Sequence, residues 1–327
     1  MIKFFRQSYP VQYVFLALLA IVLWIPVFIT GKADMALCSP VTPLYNLVSG
    51  LLDFSPYAMI VLAFLMMAFN AVFFNSILIT NQIVAKVSTI GAFAFLLVMN
   101  FTLTQSNFYP FALACVFILM LMHTMFLIYQ TQNPELYLLN AGIFVAIASM
   151  LYFPSIVMVV WVLISLFIAR KSNIRLLIIP VIGFLFPYFL YFAGVYLFGN
   201  LPETAQQYAD YFSSLRFAVE GFDWIRIVVL SVLTVLAVIP LISSSNFSFE
   251  KTIATRAKIM MTIVLLVFAV LLLFSGGEIL YHGLIFVALS VIVSYDLSYM
   301  DKTGWADLLL TALMVLVIVN RYFYKVI

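Results

Sequence analysis

Two long apolar runs joined by a short basic turn constrain this chain more than any other feature of its sequence. The runs lie within residues 151–198, and the turn between them holds three positively charged side chains, Arg170, Lys171 and Arg175. A helix needs about 20 apolar residues to cross roughly 30 Å of hydrocarbon, and short loops rich in Lys and Arg stay on the cytoplasmic side of a membrane. The pattern therefore predicts membrane-spanning helices, with residues 170–175 in the cytoplasm.

The composition of the chain excludes a soluble globular fold. Of its 327 residues, 66% are hydrophobic and 8% are charged, whereas about 25% of the residues of a soluble domain are charged. Residues 1–327 are therefore expected to form one all-α integral membrane domain, and nucleic acid is not an expected partner. Cys38 in a predicted loop and Cys115 in a predicted helix are not expected to form a disulfide, because one would lie in water and the other in the bilayer.

Apolar runs of spanning length predict a polytopic transmembrane helical bundle with about 11 spanning helices. No small-residue cleavage site follows the N-terminal run, so this run is expected to be a retained first helix. Ten of the fifteen Lys and Arg then fall on inner segments, which predicts a cytoplasmic N-terminus and an external C-terminus. The predicted helices span residues 11–30, 57–80, 88–103, 110–130, 136–151, 154–169, 176–198, 224–242, 257–274, 279–294 and 305–320.

The seventh predicted helix contains two interior prolines, Pro180 and Pro187. Each interior proline removes an intrahelical hydrogen bond and clashes with the preceding turn, so a bent or broken helix is expected. The longest predicted external loop, residues 199–223, follows this helix directly. A working site is therefore expected where the helix emerges from the membrane.

Glu278 and His282 are four residues apart near the outer end of the tenth predicted helix, so they share one helix face. A pair of ionisable groups at membrane depth is a candidate proton relay, catalytic base or pair of metal ligands. The alternative is an interfacial Glu that hydrogen-bonds a neighbouring His.

His123 lies too deep to join that pair, since it is roughly 20 Å from the outer end of its own helix at about 1.5 Å per residue. No two-histidine metal site is therefore predicted, and the sequence indicates no cofactor, although a bound lipid is compatible with it. His123 is expected to be packed and hydrogen-bonded. Buried amides commonly tie helices together, and this role is expected of Asn70, Asn75, Asn100 and Asn140.

Charged side chains on the predicted external segments favour a site that handles a lipid-linked phosphate. Asp34 and Lys32 follow the first predicted helix, Arg216 lies in the loop 199–223, and Arg226 lies at the start of the eighth predicted helix. Asp34 would accept a proton from an acceptor hydroxyl, while Lys32, Arg216 and Arg226 would neutralise a departing phosphate. The alternative is that water-exposed loops carry charges without any further role.

The block from Leu151 to Pro187, with its Tyr-Phe-Pro-Ser turn, Trp161 and basic turn, resembles an uncharacterised family of bacterial polytopic inner-membrane proteins. The resemblance implies an inner-membrane location but no activity. At fold level the layout is also similar to the GT-C class of membrane glycosyltransferases, which implies a catalytic acid in the first external loop and a polyprenyl-phosphate sugar donor. A carotenoid-cleaving oxygenase is excluded, because such enzymes bind iron through four histidines on a β-propeller and this chain has two histidines.

Three functional hypotheses remain open. The first is a GT-C-like transferase acting on a polyprenyl-phosphate-linked sugar or lipid at the outer face of the bacterial envelope, with Asp34, Glu278 and His282 as candidate catalytic residues. The alternative is a non-catalytic membrane subunit or scaffold of an envelope complex, whose partners would be membrane lipids and other membrane-protein subunits. The third is a proton-linked transporter that uses the bent seventh helix and the Glu278–His282 pair.

Overall fold

The computed structural model shows a bundle of helices. The described residues contain helices and connecting turns and no strand, which confirms the all-α prediction for this part of the chain. They comprise residues 2–6, 10–30, 42–51, 56–84, 88–100, 105–197, 199, 201–214, 251–274 and 282–299, with scattered positions between 304 and 318.

The described α-helices agree with most of the apolar runs. In chain order they are α1 (Ile2–Phe5), α2 (Pro10–Thr30), α3 (Pro43–Leu51), α4 (Pro56–Thr80), α5 (Ile90–Met99), α6 (Gln105–Ile128), α7 (Glu135–Leu151), α8 (Met158–Ile168), α9 (Ile174–Leu197), α10 (Leu201–Ser214), α11 (Lys251–Phe274) and α12 (His282–Tyr299), with a 3₁₀ helix at Phe153–Val157 between α7 and α8.

Four of the described helices are long and apolar enough to cross a membrane, which indicates a membrane protein. These segments are Val11–Ile29, Ile60–Thr80, Pro110–Ile128 and Ile174–Leu197. Outward-facing apolar side chains such as Leu18, Leu65 and Phe189 lie along three of them, as expected where lipid is the solvent. Shorter apolar helices fill the bundle between them, and the total of about 11 spanning helices stays a prediction.

The centre of the bundle is α5, whose side chains from Ile90 to Met99 are all buried. It packs between α4 and α12, and α7 packs between α6 and α9. The helix termini gather at two ends of the bundle. We call them the Leu151 end, where α7 ends, and the Asn81 end, where α4 ends.

Buried amides tie α4 to its neighbours, as expected for Asn70, Asn75 and Asn100, the last of which donates to the Met67 sulfur of α4 over 3.2 Å. Asn70 donates to the Ala112 carbonyl of α6 over 2.8 Å. Asn75 donates to the Ser88 carbonyl over 3.0 Å, just before α5. Such bonds matter in a bilayer because an unpaired polar group there cannot hydrogen-bond to water. Cys115 is buried and free, as predicted, and Cys38 lies outside the described residues.

Helix α9 is continuous from Ile174 to Leu197 and contains Pro180 and Pro187, so of the two predicted forms, bent or broken, it is not broken. Near Pro180 the helix contacts α7 closely. Gly183 of α9 and Gly142 of α7 allow the two backbones to touch: a Cβ at Gly142 would lie 2.1 Å from the Pro180 carbonyl oxygen. Small residues permit this close approach between membrane helices, and here it places Pro180 of α9 directly against α7.

Three predicted boundaries differ from the structure. The loop predicted at 199–223 contains α10, whose first turn has Pro202 and Glu203, both favourable at a helix N-terminus. The predicted helix 257–274 begins earlier in the structure, because α11 starts at Lys251. The sixth predicted helix, 154–169, begins as the 3₁₀ helix and continues as α8.

Candidate functional site

Most of the predicted site residues lie outside the described part of the chain. This applies to Lys32, Asp34, Arg216, Arg226 and Glu278, while His282 is described as the first residue of α12. Pro180 and Pro187 lie inside α9. What the structure places is the set of flanking segments that lead to these residues.

Three of those flanking segments meet at the Leu151 end. The hydroxyl of Thr42, next to α3, donates to the Leu151 carbonyl over 3.0 Å. The ring of Tyr208 in α10 contacts the ring of Phe153, with centroids 6.5 Å apart. Residues 151–153 therefore contact two segments that are far away in sequence, one before α4 and one after α9.

The third segment is the start of α12. Gly283 lies against the Phe111 ring so closely that a Cβ at this glycine would be 2.4 Å from a ring carbon. Phe111 in turn contacts Tyr152 edge-on, with ring centroids 5.3 Å apart. The backbone of His282, one residue before Gly283, therefore begins its helix at the same end of the bundle.

The sequence distances from these contacts to the candidate charges are short. Asp34 is eight residues before Thr42, and Arg216 is two residues after the end of α10. Glu278 is four residues before His282. Thr42, Tyr208 and Gly283, the described residues that flank these candidate charges in sequence, thus all approach one end of the bundle.

The described surface at the Leu151 end is aromatic and hydroxyl-bearing. Phe153 and Tyr208 are buried, with Tyr188, Tyr191 and Phe192 packed around them. Ser149 donates to the Ala146 carbonyl, so the Tyr188 hydroxyl donates to Ser149 over 2.9 Å. Across the described positions, no three His, Cys, Asp or Glu side chains are placed to hold a metal ion.

At the Asn81 end, the structure shows the hydrogen-bond partners of three cationic side chains that the sequence pattern treats only as markers of the cytoplasmic side. Arg6 donates to the Leu297 carbonyl in the last turn of α12 over 3.1 Å. Lys171 donates to the Ile128 carbonyl at the end of α6 over 2.7 Å, and also to the Thr131 carbonyl. Cations stabilise helix C-termini because the last carbonyls are unpaired and carry partial negative charge. Burial lowers the pKa of the Lys171 ammonium group.

Lys258 is the third of these cations, and it is almost completely buried. Its ammonium group donates to the Asn81 carbonyl over 2.7 Å, at the C-cap of α4. The sequence places Lys258 at the start of the predicted helix 257–274, but because α11 starts at Lys251 it lies two turns inside a helix. A lysine near the start of an apolar run is the only sequence signal for this contact.

Helix α4 ends in a Schellman motif around that carbonyl. The Ile83 amide donates to the Leu78 carbonyl, and the Gln82 amide donates to the Ile79 carbonyl. Gln82 takes the left-handed conformation at φ 58° that glycine usually supplies. Arg170, at φ 56°, ends α8 in the same way, so the basic turn 170–175 contains a helix stop as well as a charge cluster.

His123 is hydrogen-bonded at the Asn81 end, as expected. The Asn81 side-chain nitrogen donates to the Ile77 carbonyl over 2.8 Å and lies 2.9 Å from His123 Nδ1. Since that nitrogen is a donor, Nδ1 accepts, and the neutral imidazole carries its proton on Nε2. His123 and the start of α12 at His282 therefore lie at opposite ends of the bundle.

Comparison with known proteins gives a family but no activity. A search of the curated proteins and a search of the solved structures found no match. A family model described as a family of unknown function, DUF6427, matches residues 41–327, which is most of the chain. The chain therefore belongs to this family of helical proteins of unknown function, DUF6427.

Proposed function

We propose that the chain is an integral membrane transferase of GT-C-like fold that acts on a polyprenyl-phosphate-linked sugar or lipid at the Leu151 end. The observation that supports this proposal is the meeting of three segments at that end: the residues before α3, helix α10 and the start of α12. Each of these segments is adjacent in sequence to a group of candidate charges. Membrane lipid would be the source of the substrate, and a bound lipid is the expected ligand.

The proposed chemistry is substitution at the sugar carbon bonded to the lipid phosphate. Asp34 accepts the proton of an acceptor hydroxyl, whose oxygen bonds to that carbon as the bond to the phosphate oxygen breaks. Lys32, Arg216 and Arg226 neutralise the negative charge left on the polyprenyl phosphate. Glu278 and His282 are the remaining candidates for proton transfer, since their segment starts at the same end.

We also propose that the Leu151 end faces the outside of the bacterial inner membrane. The Asn81 end carries Arg6, Lys171 and Lys258, and positively charged segments favour the cytoplasmic side. A cytoplasmic N-terminus follows, because α1 contacts the start of α5 at this end: the Thr89 amide donates to the Phe5 carbonyl over 2.9 Å.

The alternative of a proton-linked transporter, with a bent seventh helix and the Glu278–His282 pair, stays a prediction; α9 itself runs without a break through both of its prolines. Failure of the transferase test would favour the alternative hypothesis, a non-catalytic subunit of an envelope complex.

The test compares Asp34→Ala with Glu135→Gln in a strain that depends on this gene. Glu135 is an exposed carboxylate at the Asn81 end, so its removal leaves the proposed site intact. We expect Asp34→Ala to lose growth support and to accumulate polyprenyl-phosphate-linked species, measured by mass spectrometry of extracted lipids, while Glu135→Gln behaves as wild type. If Asp34→Ala is made at normal level and leaves every envelope lipid and glycan unchanged, the proposed activity is refuted.

A further inference from the structure

Helix α10 contacts the bundle along a narrow strip. Of its described side chains, Thr204 and Tyr208 are buried, and they lie four residues apart on one helix face. The exposed ones include Glu203, Gln206 and Asp210. The helix is therefore amphipathic, with a polar face turned away from the bundle.

The ring of Tyr208 occupies a socket made of three aromatic side chains. Its centroid lies 5.6 Å from that of Phe192, 6.2 Å from that of Tyr188 and 6.5 Å from that of Phe153. The Tyr188 hydroxyl is hydrogen-bonded to the Ser149 hydroxyl of α7 over 2.9 Å, which fixes the Tyr188 ring in the socket. The socket thus belongs to α7, α9 and the 3₁₀ helix, and Tyr208 enters it from outside.

A glycine joins α10 to α9. Gly199 has φ 78°, in the left-handed region that favours glycine, and its amide donates to the Tyr196 carbonyl over 3.1 Å. A Cβ built at Gly199 would meet no atom within 4 Å. The glycine therefore ends α9 through its backbone conformation, and no close packing restricts the chain at this position.

We propose that α10 is a hinged cover over the Leu151 end, that Gly199 is its hinge, and that Tyr208 is the latch that holds it closed. Elements with few buried side chains open at lower free energy than the helices they rest on, and among the described side chains of α10 the Tyr208 ring provides the aromatic contact with the socket. Opening would expose the rings of Phe153, Tyr188 and Phe192 beside the segments that lead to the candidate charges. That this end admits substrate rests on the proposed function, whereas the motion of α10 does not.

The experiment is hydrogen–deuterium exchange, read by mass spectrometry on the full-length protein in lipid nanodiscs. In the wild type we expect the amides of α10 to exchange at least about tenfold faster than those of α7, because α10 opens as a separate unit. In Tyr208→Ala, exchange across α10 should rise by a further tenfold or so, since three ring contacts are lost, with α7 and α9 unchanged. Tyr208→Phe keeps the ring and should stay near wild type.

The matched control is Tyr196→Ala, which removes a tyrosine ring of α9 that is 68% exposed. Its α10 exchange should change by less than about twofold, as for other surface substitutions. The cover is refuted if α10 and α7 exchange at the same rate in the wild type, or if Tyr208→Ala leaves α10 exchange unchanged. It is also refuted if that variant accelerates exchange in α7 and α9 equally. Hydrogen exchange does not depend on turnover. If α10 opens as expected while Asp34→Ala leaves the envelope lipids unchanged, only the proposed transferase activity is refuted.

Discussion

Substituting Gly142 by alanine tests whether the crossing of α7 and α9 holds the bundle together. The new Cβ would lie 2.1 Å from the Pro180 carbonyl oxygen, 2.8 Å from the Phe184 nitrogen and 2.9 Å from the Gly183 carbonyl carbon. All three atoms belong to the backbone of α9, so no flexible side chain can move aside. The only relief is a separation of the two helices.

The size of that separation follows from the distances. A carbon and a carbonyl oxygen in close contact lie about 3.3 Å apart, so the 2.1 Å contact must open by about 1.2 Å. A gap of roughly 0.5–1 Å already forfeits a quarter to a half of the dispersion energy of each atom pair at an interface. Overpacking of this kind costs about 1–3 kcal/mol. Gly183→Ala should cost a similar amount, because its Cβ would lie 2.4 Å from the Leu139 carbonyl oxygen.

The assay is reversible unfolding in mixed micelles, titrated with a denaturing detergent and followed by tryptophan fluorescence. Gly194→Ala is the matched control, since Gly194 lies on α9 and a Cβ there meets nothing within 4 Å. The double variant Gly142→Ala/Gly183→Ala should cost less than the sum of the two single variants, because the first already separates the helices. The reasoning is refuted if Gly142→Ala unfolds at the same denaturant concentration as Gly194→Ala.

The same titration checks two further predictions. Arg170→Gly should stabilise the protein by about 1 kcal/mol, since Arg170 ends α8 at φ 56°, where a Cβ is strained; a loss of stability would contradict the assigned helix stop. Lys258→Ala should destabilise it by about 1–3 kcal/mol, because the Asn81 carbonyl loses its donor. Its control is Arg175→Ala, which breaks an exposed ion pair with Glu135 and should cost less than about 1 kcal/mol. Equal losses for these two variants would mean that the buried bond is no stronger than the surface pair.

Helix positions were largely predictable, because the apolar length of a helix is a local property of its sequence. The run 11–30 agrees with α2, and the run 57–80 agrees with α4. The exceptions are segments in which packing decides the structure. Helix α10 has a polar face and so looks like a loop by hydropathy, and its order depends on the socket that receives Tyr208.

The candidate site was predictable only as a set of segments. The sequence pointed to the residues after the first helix, the loop after α9 and the start of α12, each from its own charges. It contained no information that Thr42, Tyr208 and Gly283 approach the same end of α7, because contacts between residues far apart in sequence depend on the packing of whole helices.

The sequence by itself determined that this chain is helical and contains segments apolar enough to cross a membrane, since a backbone in hydrocarbon must pair its own polar groups. Only the tertiary structure decided what the basic turn and the interior prolines do. Lys171 caps α6 because the end of that helix lies beside it. Pro180 lies where Gly142 of α7 brings a second backbone against α9. These outcomes depend on a partner helix, which no local pattern in the chain can specify.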